Sequence, residues 1–422
     1  MQQSVGPTTS EGRATAARAG VYVHFPWCLN KCPYCDFVSY GVGPSSRSGG
    51  PKGPTSTSSG PKGPTDPIDH RAYATAVVAE IERRVDAGAL RGCRVESIFF
   101  GGGTPSLWDA RELGRVVARV RSALDCADDL EVTVECNPTS LDHDHACALT
   151  DAGVNRLSIG VQSLRDDRLR HLGRLHDARG GVQAVRDAKR AGVPRVSADL
   201  IFGLPGQSPE EARDEATELA SLGLDHVSCY QLTIEPGTRF GELARRGRLP
   251  LADEGAVADA FLAIDEALTS SSPAHGGFVH YEVSNYARPG QEARHNLGYW
   301  RGDEYLGLGC AAYGYLRTAR GEGVRYRNDV LPERYMVGAD DTAEPLDADT
   351  LLRERIMLGL RLAHGFDLEA SAADLGVPAW PPGRRRAVAW LEERGRLVRD
   401  GSRLRVPTSA WLWTDDTAAR LF

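Results

Sequence analysis

Trp27-Cys28-Leu29-Asn30-Lys31-Cys32-Pro33-Tyr34-Cys35-Asp36-Phe37 sets three cysteines at the spacing C-x3-C-x2-C near the start of a 422-residue chain. A [4Fe–4S] cluster has four irons, and electron-transfer clusters ligate each one through its own cysteine. Cys28, Cys32 and Cys35 supply three thiolates and leave one iron open. An open iron is where S-adenosylmethionine chelates through its amino and carboxylate groups, beside the electron that can cleave its sulfonium bond. A zinc site lacking its fourth ligand and a set of buried structural thiols are the alternative readings of this spacing.

Composition narrows the setting. Nine cysteines, three of them clustered, point to a reducing compartment and a metal site instead of a disulfide framework. Cys93, Cys126, Cys136, Cys147, Cys229 and Cys310 have no ligand spacing and read as buried small residues. Lys+Arg at 50 against Asp+Glu at 57 argues against a nucleic-acid partner held by a wholly basic surface, though not against a local patch. No apolar run approaches the roughly 20 residues of a membrane span, and residues 1–20 lack the apolar stretch of a signal peptide. A cytoplasmic protein is expected, with at most transient membrane contact and no nucleic acid.

Working outward from the cysteines, an α/β pattern covers the first half. Short apolar runs at 21–25, 95–100, 130–135, 156–159, 196–201 and 226–231 alternate with amphipathic segments near 70–87, 108–124, 142–151, 178–191 and 208–221. Strands separated by helices of this length make right-handed parallel βαβ units, six of which build either an open partial (βα)6 barrel or a flat sheet. The expected organisation is a disordered tail over 1–20, a core over 21–240, a barrel extension over 241–331 and a C-terminal domain over 332–422. Residues 41–67, nearly all Gly, Pro, Ser, Thr and Lys, read as a disordered insertion in the core. Helices near 348–364 and 384–394 followed by a charged hairpin around Asp400-Gly401 resemble a small winged-helix-like α+β domain.

Polar residues gather at the strand ends. Gly101-Gly102-Gly103-Thr104-Pro105-Ser106 directly follows an apolar strand, where glycine lets a ligand approach backbone closely. Glu135, Gln162, Asp199 and Gln231 stand at or just after strand ends and can accept hydrogen bonds from a ribose diol or an ammonium group. Arg174 can pair with a ligand carboxylate, and Tyr34 is placed to pack on an adenine ring. His24 either bonds a cluster ligand or packs. Farther on, His295-Asn296-Leu297-Gly298-Tyr299-Trp300 joins an imidazole to two large aromatics; a haem ligand and a histidine at a domain seam are both readings of it.

Taken together, the cysteine loop preceded by His24-Phe25-Pro26-Trp27, the glycine turn, Tyr281-Glu282-Val283-Ser284-Asn285-Tyr286 and the HNxxYW stretch resemble the HemW family of the radical S-adenosylmethionine superfamily. These are haem chaperones related to the oxygen-independent coproporphyrinogen III oxidases. The resemblance favours the partial barrel and implies a [4Fe–4S] cluster, S-adenosylmethionine and haem as cofactors. It places Gly102, Gly103 and Thr104 on the methionine moiety and Tyr22 beside the cofactor near the cluster. It carries His295, with Asn296, Tyr299 and Trp300, over to haem binding. An apo-haemoprotein acceptor, in the respiratory chain for example, and a homodimer are the partners it implies. No catalytic residue is assigned. The oxidases carry a fourth cysteine two residues past the third, where this chain has Phe37. A phenyl ring replaces no thiolate, so the chaperone reading is favoured over the alternative, a radical enzyme of porphyrin metabolism acting on a porphyrinogen propionate.

Overall fold

A computed structural model describes residues 16–42, 68–270, 277–339 and 341–422. The first half runs β1 (Ala17–Phe25), β2 (Trp27–Cys28), β3 (Tyr40–Gly41), α1 (His70–Asp86), β4 (Cys93–Gly102), α2 (Ala110–Ala123), β5 (Cys126–Cys136), α3 (His143–Asp151), β6 (Arg156–Gln162), α4 (Asp166–His171), α5 (Ala178–Arg190), β7 (Arg195–Phe202), α6 (Pro209–Ala220) and β8 (His226–Gln231). The six expected strands are present, interleaved with the expected helices. Helices start where a side chain can satisfy their first free N–H groups: Asp69, Asp109, Asp142 and Asp177 cap α1, α2, α3 and α5. Ser208 and Glu211 form a reciprocal capping box on α6. Each such cap contributes about 1 kcal/mol.

The second half adds α7 (Arg239–Arg245), α8 (Glu254–Thr269), β9 (Val279–Glu282), β10 (Asn285–Ala287), α9 (Arg294–Arg301), β11 (Glu304–Leu308), β12 (Tyr313–Ala319), β13 (Glu322–Arg327), α10 (Pro332–Met336) and β14 (Thr342–Leu346). It closes with α11 (Ala348–Gly359), β15 (Phe366–Asp367), α12 (Leu368–Leu375), α13 (Pro382–Glu393), β16 (Val398–Asp400), β17 (Arg403–Arg405) and α14 (Thr414–Ala419). Twelve strands form one sheet in the order β14-β13-β12-β11-β1-β4-β5-β6-β7-β8-β10-β9. β11 to β14 extend it on the β1 side and β10 and β9 on the β8 side. Its two ends do not pair with each other, so the barrel is partial, as the superfamily resemblance implies. β11 lies parallel to β1, with Val21 opposite Leu306, and makes a seventh parallel strand that no βα repeat announced.

β1 begins within the stretch expected to be a disordered tail. Ala19 is buried and pairs with both Glu304 and Val95, so residues 17–20 belong to the sheet. Residues 1–15 of that tail and 43–67 of the insertion lie outside the described residues. No described helix is long and apolar enough to cross a membrane.

The core on the β1–α1 side is aromatic. Phe25 stacks on Trp108 at 5.1 Å, and Trp27 meets Tyr73 edge-on at 4.9 Å. The Tyr73 hydroxyl donates to the His24 carbonyl at 2.6 Å and accepts from Cys310 N–H at 2.9 Å, tying α1 and the loop after β11 to the strand that launches the cysteine loop.

The last segment is a winged helix in topology: α11, β15, α12, α13, then a β16–β17 hairpin, with sheet order β15-β17-β16. It joins the barrel through Val283 N–H to the Arg361 carbonyl and Ala363 N–H to the Tyr281 carbonyl, both at 3.0 Å. Glu282, fully buried in this seam, is pushed up to about 7 by burial. A carboxyl raised in the folded state contributes stability that is present below the unfolded value near 4.5 and is lost as pH rises through 7. Glu282→Gln should therefore match the parent at pH 4 and exceed it by about 1–3 kcal/mol at pH 8, measured by urea unfolding. An equal difference at both values would remove Glu282 from the pH response.

Candidate functional site

A cavity of about 660 Å³ opens at the carboxyl ends of the parallel strands, and Cys28, Cys32 and Cys35 line it. The cysteine loop is held by its own backbone and by the barrel. Val42 N–H bonds the Cys28 carbonyl at 2.9 Å, Cys35 N–H the Cys32 carbonyl at 3.2 Å, and Phe240 N–H the Pro33 carbonyl at 2.8 Å. Tyr34 packs on a small apolar cluster of Leu172, Ile201 and Leu204. Burial pushes the Cys28 thiol up and Cys35 up to about 11, which favours the protonated thiols until a metal replaces the proton. Arg174 Nη1 lies 3.5 Å from Cys32 Sγ and brings a positive charge to that sulfur. Among the described residues, no three Cys, His, Asp or Glu side chains surround one ion-sized point. A cluster does not need that, because each cysteine binds a different iron.

The glycine turn owes its composition to the cysteine loop. Gly102 sits at φ +107°, and a Cβ there would fall 2.5 Å from the His24 ring; one on Gly103 would fall 2.5 Å from the Trp27 carbonyl. Gly103 N–H bonds the Phe25 carbonyl at 2.7 Å and Thr104 N–H the Trp27 carbonyl at 2.8 Å. Those two donors are thus spent on the loop, while Gly102, Gly103 and Thr104 still border the cavity. His24 packs rather than facing a cysteine: Nε2 bonds the Val38 carbonyl at 2.8 Å and Nδ1 the Tyr22 hydroxyl at 3.0 Å.

Tyr22, Tyr34, Glu135, Gln162, Arg174, Asp199 and Gln231 all line the same cavity. Burial, then the neighbouring Asp199, pushes Glu135 up to about 8 although Gly102 N–H donates to it at 3.3 Å. Burial also raises Asp199, which accepts from Ser158 Oγ at 3.1 Å. Two adjacent carboxyls with raised proton affinity suit a hydroxyl-rich or cationic ligand. Gln162 takes φ +69°, left-handed for a residue with a side chain, at a register break between β6 and β7. Such backbone costs about 1–3 kcal/mol and concentrates at binding sites. Its Oε1 and the Arg174 Nε are buried without partners, as expected of groups kept for a ligand. The residues present therefore fit a cluster with S-adenosylmethionine beside it.

His295, Asn296 and Tyr299 reach the cavity from α9. His295 is only 3% exposed. Its Nδ1 meets Ser97 Oγ at 2.9 Å, its Nε2 meets the Tyr299 hydroxyl at 3.0 Å, and its ring stacks on Phe99 at 4.9 Å. Burial lowers it to about 3, so the imidazole is neutral. His295 and Tyr299 also border a second cavity of about 350 Å³ beside Arg18, Arg294 and Arg301, which makes this pair a partition between the two. Trp300 does not line the main cavity; its ring faces Arg361, 5.6 Å away at the winged-helix seam. One step along α9 turns Trp300 roughly 100° from Tyr299.

Glu131 escaped the sequence reading. It is fully buried on β5, and its carboxylate accepts from Arg294 N–H and His295 N–H, each at 3.2 Å. α9 has no side-chain cap of its own, so Glu131 serves its N-terminus from another element. Arg195 at 3.1 Å and Arg156 at 3.9 Å neutralise it. The sequence signal was a carboxylate flanked by two apolar residues within a strand, Leu130-Glu131-Val132.

Comparison with known proteins agrees with this arrangement. The Radical SAM superfamily description matches residues 22–227, and that of the HemN C-terminal domain matches 346–413. The chain is 37% identical to heme chaperone HemW of Haemophilus influenzae over 318 residues, 75% of this chain and 76% of that protein. It is 34% identical to heme chaperone HemW of Mycobacterium tuberculosis over 388 residues, 91% and 90% of the two chains. Coproporphyrinogen III oxidase (HemN) from Escherichia coli shares the fold, with a TM-score of 0.73 at 19% identity over 97% of this chain and 91% of that one. A three-cysteine barrel mouth, a winged-helix tail and this level of identity converge: the chain belongs to the HemW family of the radical SAM superfamily.

Proposed function

We propose that this protein binds haem and hands it to an apo-haemoprotein in the cytoplasm, with a [4Fe–4S] cluster on Cys28, Cys32 and Cys35 and S-adenosylmethionine in the adjoining cavity. The observation that carries the reading is His295: a neutral imidazole, kept so by burial, on the wall of the cavity the cysteines line. Neutral imidazole is the form that ligates haem iron. Phe37, 59% exposed at the cavity rim in place of a fourth cysteine, supports a chaperone over a porphyrinogen oxidase.

When bound, the cluster would supply an electron to the sulfonium of S-adenosylmethionine. Around it, Arg174 would pair with the methionine carboxylate, Glu135 and Asp199 would hold hydroxyl or ammonium groups, and Tyr34 would cover the adenine. His295 must exchange its Tyr299 partner before Nε2 can reach a metal, so opening of the α9 partition accompanies binding.

An anaerobic haem titration followed at the Soret band tests this. Haem should bind saturably, His295→Ala should weaken binding at least about tenfold, and Tyr299→Phe, which frees Nε2, should strengthen it. Unchanged binding in both variants would take the haem site away from α9, and no saturable binding would end the chaperone reading.

A further inference from the structure

The winged helix carries a charge pattern that haem transfer leaves unused. Residues 380–405 hold eight arginines against three carboxylates, in a chain of formal charge −7. We propose that α13 and the β16–β17 hairpin form a docking face for duplex DNA, with the helix against a groove and the hairpin on flanking phosphates.

Arg385, Arg386, Arg399, Arg403 and Arg405 are exposed. Of the eight arginines, those in ion pairs among the described residues are Arg394, 3.6 Å from Glu393, and Arg396, 2.7 Å from Asp416. The five exposed ones on the helix start and hairpin carry unneutralised charge. Three of them are steered by backbone carbonyls: Arg385 Nε donates to Trp380 at 3.0 Å, Arg399 Nε to Gly401 at 2.8 Å, and Arg403 Nη1 to His364 at 3.3 Å. Each retains further N–H groups for a phosphate.

Trp380 binds the two elements into one face. The Arg385 guanidinium, from α13, lies 6.0 Å from its ring, and that of Arg399, from β16, lies 4.4 Å away. α13 begins with no acidic residue in its first turn, so the positive end of its dipole adds to Arg385 and Arg386.

Shape and charge select the partner. A helix about 10–12 Å across enters the major groove of B-form DNA, which is about 12 Å wide; the deep, narrow groove of duplex RNA does not admit it. An anionic bilayer calls for aromatic rings free to insert. On this face guanidinium groups cover the rings of Trp390 and Trp380, with Arg394 and Arg420 at 4.0 and 4.5 Å from the first and Arg399 on the second, and the exposed Trp413 and Phe422 lie outside α13 and the hairpin.

The test uses the full chain and a fluorescent DNA duplex of about 20 base pairs, read by anisotropy across a salt series. Saturable binding is expected with a dissociation constant of roughly 10⁻⁴–10⁻⁶ M, weakening as salt rises. The triple variant Arg385→Ala, Arg386→Ala, Arg405→Ala should bind at least about tenfold more weakly and lose about 2–3 from the slope of log K against log salt. The corresponding triple lysine variant should keep both, which separates loss of charge from loss of fold. Absence of saturable DNA binding, or an alanine triple that binds like the parent, overturns the proposal. So does tighter binding to duplex RNA or to anionic phospholipid vesicles than to the DNA duplex.

Discussion

Serine at Cys32 is expected to leave the protein without bound iron and sulfide after anaerobic reconstitution, and without the visible absorption of a cluster. Oxygen and sulfur differ by one row, but a serine hydroxyl does not ionise near neutral pH as a thiol does under a metal. Cys32 is also the sulfur that lies beside the Arg174 guanidinium. The side chain is only partly buried, so the exchange should leave the melting temperature nearly unchanged. Cys126→Ser, a half-buried cysteine that does not line the cavity, is the control and should reconstitute fully. A cluster that assembles equally in both variants would remove Cys32 as a ligand.

Glu131→Ala should destabilise the fold by about 3–5 kcal/mol, the range for removing one partner of a buried ion pair. Three losses coincide: Arg195 and Arg156 lose the carboxylate between them, the first N–H groups of α9 lose their acceptor, and a cavity opens beside β5. Glu131→Gln keeps an acceptor oxygen and should cost less than the alanine. Urea unfolding of the three proteins measures the series. A loss below about 1 kcal/mol for the alanine, the value of an exposed pair, would mean that water reaches this site and that α9 does not depend on it. The proposed haem ligand depends on the same bonds, because His295 is the second residue of the helix that Glu131 holds.

Much of the barrel was legible from the chain because βα units are local. After the first unit, which the insertion lengthens, each apolar run and its following amphipathic segment lie within about 35 residues, and side-chain caps such as Asp109 and Ser208 mark the helix starts in plain sequence. The cysteine spacing was equally readable, since the three thiols sit on one short loop. β11 was not. It is a five-residue run that pairs with β1 from 285 residues downstream, Ala19 against Glu304, and periodicity carries no information about such a partner. Trp300 was grouped with His295 by proximity in sequence, yet consecutive residues of a helix point in different directions.

By itself, then, the sequence determined what local rules determine: six βα strands, a three-thiol loop, a glycine turn and a helix pair with a charged hairpin. Only the tertiary structure decided which distant groups meet. It put Glu131 of β5 under the start of α9, closed both nitrogens of His295 with Ser97 and Tyr299, and spent the N–H groups of Gly103 and Thr104 on the cysteine loop. It also gathered the arginines of α13 and the hairpin around Trp380. The physical reason is the same throughout. Turn, cap and periodicity preferences act over a few residues, whereas the pairing of buried polar groups is settled by whichever strand or helix packs alongside.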